Sequence, residues 1–116
     1  MNTTSLTRLG EEQLGKARDA SSGRAAVTVH GGREHDLRQT LIALAEGRSL
    51  GEHDAPGEAT LQVLVGQVRL SAGDDTWEGT DGDHVVIPPH RHDLAALTDA
   101  VVLLTVATRA CAPTTT

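Results

Sequence analysis

Three histidines are the side chains of this sequence best placed to do chemistry. His53 stands alone near the middle of the chain, and His90 and His92 lie two residues apart further along it. Because residues i and i+2 of an extended segment share a face, His90 and His92 can point to the same side. Imidazole can ligate a transition metal, hydrogen-bond a small molecule or transfer a proton near neutral pH. Each use requires a fold that brings His53 to the other two.

Short β-strands separated by turn residues are the elements that the sequence predicts around these histidines. The strand-like stretches are residues 25–30, 35–45, 59–70 as a pair around Gly66, 84–89, 94–97 and 100–107. Residues 35–45 also fit a helical period, so that both readings stay open there. Turns are predicted at residues 71–75 and 81–83, because Asp and Gly stabilise tight turns. This pattern is typical of an all-β sandwich or barrel.

One helix is predicted before the strands, over residues 5–19. Ser5 or Thr4 can cap it, and one face is apolar through Leu6, Leu9, Leu14 and Ala17. A helix this short is marginal alone, so we expect it to pack on the barrel or on a partner subunit. The predicted organisation is an N-terminal helical segment (1–24), a barrel (25–108) and a flexible tail (109–116).

Composition excludes several classes of function. The chain has 116 residues and a formal net charge of −6, with few and scattered basic residues, which disfavours nucleic acid as a partner. No apolar run approaches the ~20 residues of a membrane span, and the polar N-terminus does not resemble a signal peptide. The single cysteine, Cys111, cannot form an internal disulfide and has no partner motif for catalysis. These features predict a soluble cytoplasmic protein.

Aromatic residues are almost absent, which constrains any pocket. The chain has no Phe, no Tyr and one Trp, Trp77, which we expect to cover an edge of the core. A pocket would therefore be aliphatic, with histidine as its main ring-bearing side chain.

Two stretches of the sequence resemble the motifs of the cupin superfamily. The segment GRSLGEHDAPGEATLQVLVG (47–66) keeps the frame of the first motif, G-x5-H-x-H-x(3–4)-E-x6-G, through Gly47, His53 and Gly66. The segment GDHVVIPPHRHD (82–93) supplies Gly82, Asp83 and Pro88 of the second motif, G-x5-P-x-G-x2-H-x3-N. The resemblance covers roughly residues 37–107. It implies a small single-domain bacterial cupin, with a jelly-roll barrel (a double-stranded β-helix), and a homodimer, since small cupins commonly pair.

The ligand positions depart from the cupin pattern. Metal-binding cupins usually use two histidines and a glutamate from the first motif and one histidine from the second. Here His53 keeps the first position, while Ala55 and Ala59 stand at the second histidine and the glutamate. Strict spacing puts the second-motif ligand at Asp93. A loop one residue shorter puts it at His92, which we favour, although both assignments stay open.

The inherited set, His53 with His92 or Asp93, is too small for a tight transition-metal site, which normally has three or four protein ligands. His90 could restore a third nitrogen. A site of His53, His90 and His92 would suit a divalent Zn, Fe, Ni or Mn ion, and Glu52 and Glu58 are nearby oxygen donors if their loops bend inward.

Three hypotheses follow for function. The first is a binding or sensing cupin without catalysis, which holds a small molecule in its barrel with His53, His92, Leu61 and Val63. The second is a metal-dependent oxygenase, isomerase or cyclase that uses His53, His90 and His92. The third is a structural or regulatory dimerising module. The remaining histidines, His30, His35 and His84, are predicted to lie on the surface or a sheet face.

Overall fold

The computed structural model describes residues 1–54 and 57–108. These residues form one helix and eight strands: α1 (Leu6–Asp19), β1 (Arg24–His30), β2 (Leu37–Leu44), β3 (Glu58–Val65), β4 (Gln67–Ala72), β5 (Asp75–Thr80), β6 (His84–Val86), β7 (His92–Ala96) and β8 (Ala100–Ala107). Ala55, Cys111 and the predicted flexible tail (109–116) lie outside the described residues. No helix among the described residues is long and apolar enough to span a membrane.

The strands form two antiparallel sheets that face each other, which confirms the predicted all-β fold. The larger sheet has the order β1-β2-β8-β3-β6 and the smaller one the order β5-β4-β7. Their facing sides enclose an aliphatic core of Ile42, Leu44, Ala59, Leu61, Val63, Val68, Leu70, Ile87, Leu94, Ala96, Ala100, Val102 and Val106. As expected, Trp77 is half-buried against the edge of this core.

Strand β2 is buried on both faces, which explains why its sequence also fits a helical period. Ile42 and Leu44 belong to the core between the sheets, whereas Leu41 and Ala43 face the other side of the large sheet. Because both sets are apolar, the alternation that marks a half-buried strand is lost. The chain is nevertheless a strand there, because it pairs with β1 on one side and β8 on the other.

Helix α1 covers the outer face of the large sheet. Ser5 caps it by accepting a hydrogen bond from the Arg8 backbone N–H at 3.2 Å. Leu14 and Ala17 are buried against Leu41, Ala43, Val101 and Leu103, and Leu6 and Leu9 pack at the margin of this second cluster. Gly10 lets the helix approach the sheet closely, since a Cβ there would lie 3.2 Å from a methyl group of Val101. The predicted apolar face of α1 is therefore used within its own chain.

Three strands depart most clearly from the sequence prediction. Strand β5 was not predicted, yet it pairs with β4 along its whole length, and the turn between them is shorter than residues 71–75. Strand β7 begins at His92 rather than residue 94, because His92 and Asp93 pair with Ala72 and Ser71 of β4. Strand β6 ends at Val86, before two prolines that have no backbone N–H to donate.

The predicted turn at residues 81–83 is confirmed by the hydrogen bonds of its two aspartates. Asp81 accepts from the Gly66 backbone N–H at 2.6 Å, and Asp83 accepts from that of Thr80 at 2.8 Å. Gly66, at φ +93°, joins β3 to β4 where a side chain would collide with the backbone of Asp99 and Ala100. Only glycine fits this crossing without strain.

Asp99 ties together three separate parts of the chain. Its two carboxylate oxygens accept hydrogen bonds from the Glu46 backbone N–H and from the Arg18 guanidinium, each at 2.8 Å. The bond from Glu46 and the contact with Arg18 lower the pKa of Asp99 below its ordinary value of 3.8. The end of α1, the β2–β3 loop and the β7–β8 turn therefore meet at one carboxylate.

Replacing Leu14 by alanine should lower the free energy of unfolding by about 2–4 kcal/mol, since it leaves a cavity between α1 and the sheet. Val86→Ala, at a side chain that is 66% exposed, is the matched control and should change stability by less than about 0.5 kcal/mol. Chemical denaturation of the full chain measures both. Equal effects would show that α1 does not pack as described.

Asp99→Asn should lower stability near neutral pH by less than about 1 kcal/mol, because the ion pair is partly exposed. A carboxyl group with a lowered pKa stabilises the fold fully above its unfolded-state pKa, and the contribution is lost as the pH falls through the folded-state pKa. The difference from wild type should therefore be constant above about pH 5 and should shrink toward zero in more acidic solution. Denaturation curves across this range test it, and a difference that grows on acidification would contradict it.

Candidate functional site

His53 and His92 form a hydrogen-bonded pair at one end of the barrel. Each backbone N–H donates to the other residue's carbonyl oxygen at 3.0 Å, which makes an isolated antiparallel bridge between the β2–β3 loop and the first residue of β7. Residues directly opposite each other in such a pair present their side chains to the same face. The two imidazole rings accordingly meet edge to face, with centroids 4.5 Å apart and planes inclined at 67°. Of the three histidines predicted to act together, the structure brings these two into contact.

Both rings are held in the same way by the backbone. His53 Nδ1 lies 2.9 Å from the Gly51 carbonyl oxygen, and His92 Nδ1 lies 3.0 Å from the His90 carbonyl oxygen. A carbonyl oxygen can only accept, so each Nδ1 must carry the proton. In the neutral imidazole this leaves Nε2 without a proton, as a free acceptor. The pair therefore presents two Nε2 lone pairs with fixed ring orientation.

The rings border a small aliphatic cavity between the sheets. Its volume is about 20 Å³, and its lining combines the two imidazoles with seven aliphatic side chains: Ile42, Leu50, Leu61, Leu70, Ile87, Leu94 and Leu104. That volume holds about one water molecule. His92 is buried, at 5% exposure, whereas His53 is exposed. The site thus has one ring inside and one at its mouth.

Of the two aliphatic residues predicted to bind a ligand, one lines the cavity and the other does not. Leu61 lines the cavity, whereas Val63 is fully buried in the core and does not reach it. Ala59 is also buried in the core between the sheets. An alanine therefore occupies, inside the barrel, the position that the cupin pattern gives to glutamate.

His92, and not Asp93, is the residue whose side chain lies beside His53. Burial alternates along β7, with His92, Leu94 and Ala96 buried and Asp93 and Ala95 only partly buried. Asp93 therefore faces the other side of the small sheet, opposite Ser71 of β4. His92 is the residue that shares the cavity with His53.

His90 was predicted to join His53 and His92, but its side chain lies apart from them. It is exposed, and its backbone carbonyl rather than its ring contacts His92. The carboxylates suggested as further donors are also turned away, since Glu58 is exposed next to inward-facing Ala59 and Glu52 pairs with Arg91 at 3.2 Å. Within residues 1–54 and 57–108, no group of three or more His, Cys, Asp or Glu side chains could hold a metal ion.

The donor set therefore does not fit the metal ion that cupins commonly hold. Two imidazoles are fewer than the three or four protein ligands of a tight transition-metal site. The sequence places alanine at both remaining first-motif positions, of which Ala59 is buried among aliphatic side chains. The geometry is suited instead to accepting hydrogen bonds at the two Nε2 atoms.

Charged side chains lie on the outer face of the His53–His92 bridge. Arg91 contacts Glu52 at 3.2 Å and Asp54 at 3.6 Å. Glu52 and Asp54 flank His53, and Arg91 precedes His92, so alternation turns these charges away from the imidazoles. The ion pairs are exposed and contribute little stability singly, but they connect the same two segments that the backbone bridge connects.

Larger grooves occur away from the histidine pair. One of about 350 Å³ runs between α1 and the end of β3 and is lined mainly by apolar side chains, among them Leu6, Leu14 and Leu64. His30 and His35 contact each other near the end of β1, with ring centroids 4.7 Å apart, and His84 is exposed on β6. These positions agree with the surface or sheet-face placement expected for the three histidines.

Sequence reasoning missed most of the cavity lining. Leu70 and Leu94 lie on strands whose burial alternates, whereas the apolar residues on both faces of β2 give no signal that Ile42 points into the cavity. Leu50 lies in the β2–β3 loop, and no periodic signal marks it. The only sequence clue to Leu50 is its place inside the motif segment, three residues before His53.

Nuclear magnetic resonance should find both His53 and His92 as Nδ1–H tautomers in alkaline solution, where imidazoles are neutral. The reason is that each Nδ1 faces a backbone carbonyl oxygen. Long-range ¹H–¹⁵N correlation spectra of the full chain distinguish the two tautomers, and exposed His84 provides the comparison. A dominant Nε2–H tautomer at either residue would refute the acceptor geometry.

No protein-family profile matches the chain, and no curated protein matches it. Solved structures do. A conserved protein of unknown function from Streptococcus pyogenes superposes with a TM-score of 0.70 at 23% identity, over 91% of this chain and 86% of the other. An RmlC-like cupin protein from Desulfovibrio desulfuricans superposes with a TM-score of 0.64 at 26% identity, over 73% and 82%.

An enzyme is also among the similar structures. Salicylate 1,2-dioxygenase from Pseudaminobacter salicylatoxidans superposes with a TM-score of 0.72 at 19% identity, over 86% of this chain. The match spans 33% of the dioxygenase. At this identity, the likeness concerns the fold.

Proposed function

The chain has the fold of the small cupins, and we propose that it binds a small molecule at the mouth of its barrel through Nε2 of His53 and His92. The observation that carries this proposal is the anchoring of both Nδ1 atoms on backbone carbonyls. Anchored in this way, the two rings offer paired acceptors at one end of an aliphatic cavity. A ligand that donates hydrogen bonds, through a hydroxyl, amide or ammonium group, is the chemical complement of such a site.

The size of the cavity fixes how such a ligand would sit. At about 20 Å³, the space between the sheets admits one donor group and not a whole metabolite. The donor would therefore enter next to His92, while the rest of the ligand stays near exposed His53. Binding at the mouth also limits the desolvation of the ligand's other polar groups.

The side chains that line the cavity favour binding of a ligand without its chemical conversion. The described lining contains the two imidazoles and aliphatic side chains, with no charged group and no nucleophile. Covalent catalysis requires an activated nucleophile beside a base. We therefore propose a binding or sensing role, in which occupancy of the mouth is the signal.

Metal-dependent catalysis is the second hypothesis, because the fold hosts it elsewhere. The similar dioxygenase has also been crystallised, as a mutant, in complex with gentisate, which is an example of small-molecule binding in this fold. A fold does not transfer an activity, and exposed His90 would have to turn inward to complete a three-histidine site. A homodimer and a cytoplasmic location stay predictions.

The proposal predicts that small hydroxyl- or amino-bearing metabolites raise the thermal midpoint of the chain. A ligand present at 100 times its Kd and bound only to the native state stabilises it by about 2.7 kcal/mol. His53→Ala and His92→Ala should each weaken binding about tenfold or more, which corresponds to the loss of one good hydrogen bond to a positioned acceptor. His84→Ala is the matched control and should bind like wild type.

Two results would count against this function. One is a stabilising ligand whose affinity survives both histidine substitutions. The other is stoichiometric Zn, Fe, Ni or Mn in the purified chain that disappears in His53→Ala, which would favour the metal-dependent hypothesis. Elemental analysis of the chain after incubation with each metal distinguishes the binding function from the metal-dependent hypothesis.

A further inference from the structure

The histidine-lined cavity has a much larger neighbour, from which two side chains separate it. A groove of about 340 Å³ lies at the β1 edge of the large sheet. Ile42 and Leu50 line both this groove and the cavity of about 20 Å³ that contains His53 and His92. One layer of side chains therefore divides the two spaces.

The groove is formed by the part of the large sheet that the small sheet does not cover. Arg24 and Ala26 of β1 pair with Leu44 and Ile42 of β2, so their side chains share the inward face with these core residues. Yet Arg24 and Ala26 are exposed, whereas Leu44 and Ile42 are buried. Ala26 and Ile42 supply an apolar floor, and Arg24 stands at the edge.

Leu50 is the less buried of the two dividing side chains. Its backbone is held in place, since its N–H donates to the Leu94 carbonyl at 3.0 Å and its own carbonyl accepts from Arg24 Nη1 at 3.0 Å. Its side chain is only half-buried, whereas Ile42 is fixed in the centre of a paired strand. A rotamer change at Leu50 would join the groove to the cavity without moving the loop.

Arg24 gives the groove a cationic side chain in a chain whose formal net charge is −6. Arg24 uses Nη1 on the Leu50 carbonyl, and a guanidinium has five N–H donors in all. The side chain of Arg48 lies against Gly23, next to Arg24 in sequence. In the described part of the chain, neither arginine lies within ion-pair distance of a carboxylate.

We propose that the groove and the cavity are two halves of one ligand site, with Leu50 as the plug between them. The occupant is a short aliphatic carboxylate with a hydrogen-bond donor at its other end, a hydroxy or amino acid. Its carboxylate pairs with Arg24, which can bind both oxygens. Its methylene groups lie over Ala26 and Ile42, and its donor reaches Nε2 of the histidine pair. This assignment rests on the proposed function, for which it supplies the ligand class and the missing volume.

The experiment titrates the full-length chain with three probes of equal chain length and follows ¹H–¹⁵N amide shifts. 4-Hydroxybutyrate carries both end groups, butyrate lacks the donor, and 1,4-butanediol lacks the carboxylate. We expect 4-hydroxybutyrate to bind about tenfold more tightly than either single-ended probe, because each missing group leaves one partner unpaired. 3-Hydroxypropionate and 6-hydroxyhexanoate then measure the distance between the two ends.

Two variants test the assigned residues. Arg24→Gln should remove most of the advantage of 4-hydroxybutyrate over 1,4-butanediol, because the diol has no carboxylate for Arg24 to pair with. Leu50→Ala should tighten binding of 4-hydroxybutyrate several-fold, because the plug no longer has to rotate. The matched controls are Arg8→Gln on α1 and Val86→Ala on β6, neither of which lines the groove or the cavity. Thermal midpoints of all variants confirm that they fold.

The outcomes separate this inference from the proposed function. If His53→Ala abolishes binding while Arg24→Gln and Leu50→Ala leave it within twofold of wild type, the groove is not part of the site, although the histidine pair is. If binding is indifferent to His53→Ala, both proposals fail. If none of the hydroxy acids changes any amide chemical shift, the proposed ligand class is wrong. The thermal screen of other small molecules then still tests binding at the histidine pair.

Discussion

Two backbone hydrogen bonds between His53 and His92 hold the candidate site together. They join a loop to the start of a strand, and every other feature of the site follows from that junction. Because the residues sit opposite each other, their rings share one face and their charged neighbours take the other. Because the backbone turns at Gly51 and His90, each ring finds a carbonyl for its Nδ1. Had the register differed by one residue, the ion pairs would face the cavity and the imidazoles the solvent.

The interior of the barrel is aliphatic where the cupin pattern has polar ligand residues. Ala59 does not leave an open cavity, since leucine and isoleucine side chains from both sheets fill the space to about one water molecule. In a chain without Phe or Tyr, aliphatic residues do this packing, and close packing is the normal state of a protein interior. The consequence is a site that is polar only at its rim.

Much of the fold could be predicted from the sequence, because it depends on local signals. The frame glycines Gly66 and Gly82 both adopt positive φ, and such positions stay recognisable even where ligand residues have been replaced. The helix was predicted within one residue of its start, since Thr4 and Ser5 are both residues that favour a cap, and Ser5 is the one that caps it. Strand β5 was missed because Asp75–Thr80 is mostly polar and begins inside the predicted turn at 71–75, and it becomes a strand through pairing with β4. The candidate site was harder to predict than the fold. The spacing of the second motif allowed either His92 or Asp93 at the ligand position, and only the register of β7 shows that the two side chains lie on opposite faces of the sheet. The exposure of His90 and the role of Leu50 depend on loop geometry, which periodicity does not encode.

The double burial of β2 and β8 has a consequence for motion. With the core on one side and α1 on the other, the amides at the centre of the large sheet can exchange with solvent only if both layers open, which amounts to global unfolding. The histidine-bearing loop sits at the opposite extreme, joined to β7 by a few hydrogen bonds and exposed on one side. Local opening is therefore concentrated at the end of the barrel that carries the candidate site. Amide exchange should therefore be slow at the centre of the large sheet and fast in the loop that carries the imidazole of His53.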